Sequence, residues 1–149
     1  MGTVRDRAQE LLDLIIELAP LEPHPLPELQ FVSLGLPVVT CDAVIVGASS
    51  MVPYEDPLQA NQGMARCPAG QQITLNAVIA RTCAVYDDEG KEDLDTLDHG
   101  LELVEYDMET MWSAIYAMQP MFGPDDVQID WRSEGGMILT TGSCTIGVL

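Results

Sequence analysis

The segment Asp93–Gln119 places Leu94, Leu97, Leu101, Val104, Met108, Met111, Ile115 and Met118 at alternating steps of three and four residues. An apolar seam of that period is a helical stripe, and a stripe of this length must be buried against something. A coiled coil would bury it against a second copy, but coiled coils set charges of both signs beside the seam. Here the flanks are Asp95, Asp98, Glu102, Glu105, Asp107 and Glu109, so self-pairing would bring acids together. The pattern therefore predicts a long helix lying across a sheet, stopped by Pro120, Gly123 and Pro124.

The rest of the chain supplies that sheet. Thr3–Ala19 predicts a first helix, with Val4, Ala8, Leu11, Leu12, Ile15 and Leu18 on one side, acids on the other, and Thr3 as N-cap. Pro20, Pro23, Pro25 and Pro27 end it and make residues 20–30 a stiff, extended connector. From Phe31 the residues turn β-branched and aliphatic. Val38–Val46 reads as a strand with Val39, Cys41, Ala43 and Ile45 on one face and Asp42 on the other. Gln72–Tyr86 alternates as a second strand, expected to pair antiparallel with the first.

Between these strands, residues 47–71 contain Gly47, Pro53, Pro57, Gly63, Pro68 and Gly70 and show no period. A loop of this length is uncommon in a compact domain unless it has a use, so it reads as a contact arm or as an idle surface loop. After the long helix, Val127, Ile129 and Trp131 alternate, Gly135-Gly136 supplies a tight turn, and Met137–Leu149 returns as a strand. Gly142 and Gly147 mark bulges or close packing in it. The expected architecture is a single α+β domain over 1–149, in the order α-β-β-α-β-β, with a mostly antiparallel sheet and both helices packed on it.

Charge narrows the function. Six Lys and Arg against twenty-four Asp and Glu leave −18, which repels phosphate backbones and anionic lipid surfaces. Sequence-reading nucleic-acid binding is disfavoured. An acidic surface still serves solubility, mimicry of a nucleic acid, or a passage through which DNA slides without sticking. Asp13 and Glu17 interrupt the apolar stretch Leu11–Ala19, unlike a signal-peptide core, and no run is long enough for a transmembrane helix, which points to a cytoplasm. Cys41, Cys67, Cys83 and Cys144 form no C-x-x-C pair and read as free thiols.

Catalytic signatures are not evident. No nucleophile elbow, P-loop, dinucleotide fingerprint or H-E-x-x-H helix occurs, and Gly47-Ala48-Ser49-Ser50 lacks a phosphate-binding lysine. His24 sits among the connector prolines, and His99 sits in the second helix near Asp95 and Glu102. An Asp95/His99 pair could ligate a metal, but the plainer reading is a histidine on a solvated face, and neither a metal nor a cofactor is expected. The acidic run from Asp87 to Glu109 lacks EF-hand spacing and reads as a solvated loop and outer helix face.

In chain length, in the helix Thr3–Ala19, the strands Val38–Val46 and Gln72–Tyr86 with their long intervening arm, the acidic helix and the closing hairpin at Glu134-Gly135-Gly136-Met137, the sequence resembles the tail-terminator proteins of long-tailed phages, especially actinobacteriophages. The resemblance implies a structural virion protein, assembled in the host cytoplasm and located in the tail or neck. It would form a homo-oligomeric ring, a hexamer in that family, that caps the tail tube protein and meets the head-tail connector or stopper while DNA passes through. Because no motif matches position by position, contact residues are assigned on physical grounds. Met51, Tyr54, Leu58, Met64 and Arg66 are expected as arm contacts, Trp131 and Arg132 as a hairpin contact, and Asp95, Asp98, Glu102 and Glu105 as an acidic surface facing solvent or the DNA channel. Inter-subunit strand pairing is expected from the final strand and the arm. The competing readings are a head-tail stopper, an acidic DNA mimic, and an enzyme using His99 with a divalent metal.

Overall fold

The structure, a computed structural model, describes residues 4–20, 24–39, 41–54, 70–82, 94–120, 126–134 and 136–148. Within them the order is α1 (Val4–Leu18), β1 (Gln30–Leu34), β2 (Ala43–Tyr54), β3 (Gly70–Thr82), α2 (Leu94–Ala117), β4 (Val127–Glu134) and β5 (Met137–Val148). The five strands form one mixed sheet in the order β1-β2-β3-β5-β4. β1 and β2 run parallel and every other pair is antiparallel, giving an α+β fold.

Both helices cover one face. Ala8, Leu11, Leu12 and Ile15 of α1 and Met111, Ala114, Ile115 and Met118 of α2 form a single buried cluster with Val44, Val46, Ile73, Leu75, Ala77, Ile79, Cys144 and Ile146. The strand residues alternate in sequence, as one face of a pleated sheet requires. The residues between them point the other way, where Ala43, Ile45, Val78, Ala80 and Leu139 make a smaller cluster with Val39 and Met137. Val39, Ala43 and Ile45 thus share a face as expected, but Cys41, expected with them, is exposed because it precedes β2 in a bend. Leu18, expected on the buried stripe of α1, is exposed because it ends the helix.

Three features depart from expectation. First, β1 is an additional strand immediately after the proline connector. Second, β2 begins at Ala43 and runs to Tyr54, so residues 47–54 are strand and only 55–69 of the expected arm fall outside the described residues. A register shift between Ala48 and Ser50 absorbs one extra residue and lets pairing with β3 continue from Ser50 to Tyr54. Pro53 is tolerated because, among the described residues, β2 beyond Ala48 has β3 as its single neighbour. Third, the buried face of α2 is wider than the apolar seam, whose Val104, Met111, Ile115 and Met118 are buried as expected. Leu103, Asp107, Thr110 and Ala114 are buried, whereas Leu101 is exposed.

Residues 35–42 join the parallel strands with a crossover shorter than the usual dozen residues. Leu36, Pro37 and Val39 of this crossover line a hollow with Val78 and Leu139 on the helix-free face. Gly47 makes the crossing possible, since a Cβ there would lie 2.1 Å from the Gly35 carbonyl oxygen. Asp42 then clamps the sheet by accepting hydrogen bonds from the Thr82 amide (2.8 Å) and the Thr82 hydroxyl. At the other end Glu134 pairs with Met137, and Gly136 takes a φ of 77° in the hairpin turn. Gly142 is a close-packing position instead of a bulge: its Cβ would meet Met111 and Ile115 of α2.

Candidate functional site

Polar contacts between elements distant along the chain gather where the proline connector meets α2. Arg81, near the end of β3, reaches Asp107 with two hydrogen bonds, Nε to Oδ2 at 2.7 Å and Nη2 to Oδ1 at 2.9 Å. Its remaining nitrogen, Nη1, donates to the carbonyl of Pro25 at 2.8 Å. One guanidinium therefore ties strand, helix and connector together, using the planar fork that lysine lacks. Asp107 belongs to the acidic run expected to be solvated, yet its side chain is 5% exposed. Its partner lies on a remote strand, so no local pattern marks it.

That anchor sets His24 beside α2. The His24 ring stands edge-on to His99 and to Tyr106, each at a centroid distance of 5.3 Å. Its Nε2 lies 3.5 Å from Oε1 of Glu102 and is buried without a hydrogen-bond partner. His99 and Glu102, one helical turn apart, project from the same flank of α2. The donor atoms of His24, His99 and Glu102 all lie within 4.8 Å of one another. These are the chain's two histidines, read separately from sequence and brought together by the fold.

The expected contact residues are distributed differently. Met51 is exposed on the helix side of β2, opposite Ile73. The side chains of Tyr54 and Asp95 and the whole of Leu58, Met64 and Arg66 lie outside the described residues. Trp131 is half exposed on β4, and Arg132 is exposed with an ion pair to Glu134 at 3.3 Å. Asp98, Glu102 and Glu105 are exposed, with Glu102 turned to His24. β5 lies between β3 and β4 from Met137 to Cys144, and beyond Cys144 it pairs with β3 alone, so an open edge on the final strand is confined to its last residues. The described sheet edges are β1, the Ser50–Tyr54 end of β2, which belongs to the expected arm, and β4.

Sequence reading missed a second surface, on α2. Trp112 and Tyr116 are 53% and 37% exposed, and their rings touch at a tilt of 43° with centroids 4.5 Å apart. Residues 110–119 contain no acid, in contrast to the preceding turns. Trp112 and Tyr116 lie roughly 15–25 Å along the axis of α2 from His99 and Glu102, at its C-terminal end. Both residues lie outside the apolar seam, so their exposure agrees with the helical period.

No protein-family model matches the chain, and no curated protein matches it significantly. Buried Cys144 is the one described group with a resolved acid-base shift, its thiol pushed from 9.0 up to about 12 by desolvation. It is thus a structural thiol, while Cys41 is free and exposed. No helix among the described residues is long and apolar enough to cross a membrane.

Proposed function

We propose that the chain is a structural virion protein, a tail terminator whose copies close into a ring on the end of a phage tail tube and join it to the head connector. The observation that carries this reading is the exposed Trp112–Tyr116 pair on acid-free turns of a strongly acidic chain. Large exposed aromatics are the residues that anchor protein interfaces. Placing them where local charge is lowest limits the repulsion between copies. β4 offers a sheet edge for additional pairing, and its Asp130, Arg132 and Glu134 select the partner by charge.

The acids of α2, Asp98, Glu102, Glu105 and Glu109, are exposed on the preceding turns. Repeated around a closed ring, such charges repel DNA and favour transit over binding. The activity is assembly, with the tube protein and the head-side connector as partners. A test is to add purified chain to growing tail tubes and image them by electron microscopy. Caps at one end and arrested elongation are expected. Tubes that lengthen unchanged would exclude the reading, and binding to the head-side connector alone would favour a stopper.

A further inference from the structure

We propose that His24, His99 and Glu102 form a transition-metal site, best matched to zinc, that clips the proline connector to α2. Two imidazoles and one carboxylate are a zinc-type donor set, unlike the all-oxygen sets of calcium and magnesium. Tetrahedral zinc with bonds of about 2.0–2.1 Å holds its ligand atoms roughly 3.4 Å apart. His24 Nε2 and Glu102 Oε1 already stand at 3.5 Å. The full set lies within 4.8 Å, and His99 and Glu102 are exposed side chains that close the remaining gap by rotation.

A second, independent observation points to a ligand. Nε2 of His24 is buried with no hydrogen-bond partner, although its side chain is only 13% exposed. Buried polar atoms are nearly always satisfied, and metal coordination satisfies this one. The surroundings are built: Arg81 holds the adjacent Pro25 carbonyl while bound to Asp107, and the Tyr106 ring flanks His24. Three protein ligands leave one coordination position for water or for a group from a partner. The site stands apart from the Trp112 flank, so its existence does not depend on ring assembly.

The test uses the full-length chain, freed of metal with a chelator and titrated with zinc by calorimetry, with magnesium and calcium as controls. Cobalt(II) serves as a spectroscopic substitute. The expected result is one zinc per chain, visible cobalt bands without thiolate charge transfer, and loss of the stoichiometric site in both His24→Ala and His99→Ala. His99 is exposed, so that variant retains its fold by circular dichroism, and Asp98→Asn binds zinc as the parent does. The proposal is overturned by absent stoichiometric binding, by equal affinity in the histidine variants, or by cobalt bands of cysteine ligation.

Discussion

Arg81 and Asp107 meet through two parallel hydrogen bonds, of 2.7 and 2.9 Å, with side chains 11% and 5% exposed. Removing one partner of such a pair strands the other charge away from water. Asp107→Ala is therefore expected to destabilise the chain by about 3–5 kcal/mol in urea unfolding. An Arg81→Met/Asp107→Leu double variant should lose less than the sum of the single variants, because neither charge is then left alone. Additive losses would show that the two side chains act independently.

Gly47 is the point where the short crossover touches the sheet. A Cβ would lie 2.1 Å from the Gly35 carbonyl oxygen and 2.7 Å from Ser33 Oγ, and backbone cannot step aside as a flexible side chain can. Gly47→Ala is expected to cost about 1–3 kcal/mol or more by forced displacement of the crossover. Gly147→Ala, with nothing within 4 Å, should change the thermal midpoint little. Equal midpoints for the two variants would contradict this account of the crossing.

These two sites mark the limit of what sequence reveals. Helix α2 and strands β3 and β5 announce themselves through periodicity, and the Gly135-Gly136 turn through its residue types, because each depends on local geometry. β2 was hidden beyond Val46, since Gly47 and Pro53 read as breakers. Gly47 instead serves a close approach, and Pro53 sits where a missing amide does no harm. Asp107 looked like one more solvated acid, and His24 and His99 looked unrelated, because their meanings reside in partners distant along the chain. Asp107 turning inward to Arg81 likewise widens the buried face of α2 beyond its apolar seam.

Cys144 gives a pH signature. Its pKa in the folded chain is pushed up to about 12, whereas an unfolded thiol ionises near 9.0. Between those values the native state holds a proton that the unfolded state has released, so stability falls as pH rises. This contribution is fully present below pH 9.0 and is lost on the way to about 12. Replacement by alanine should flatten that alkaline slope. In native protein at neutral pH, mapped alkylation should modify exposed Cys41 well before Cys144.

In the proposed ring, copies carrying −18 each associate against electrostatic repulsion that salt screens. Raising ionic strength from about 0.02 to about 0.5 M is expected to favour the assembled species. Dissociation by added salt would mean that opposite charges, and not the aromatic flank, hold the copies together.

Sedimentation equilibrium of the wild-type chain beside a Trp112→Ser/Tyr116→Ser variant is the most direct measurement. The wild type should reach the mass of a closed ring of about six copies as concentration and salt increase, and the variant should stay monomeric with an unchanged circular dichroism spectrum. A wild-type chain that remains monomeric throughout, or a variant that assembles equally well, contradicts assembly through the exposed face of α2.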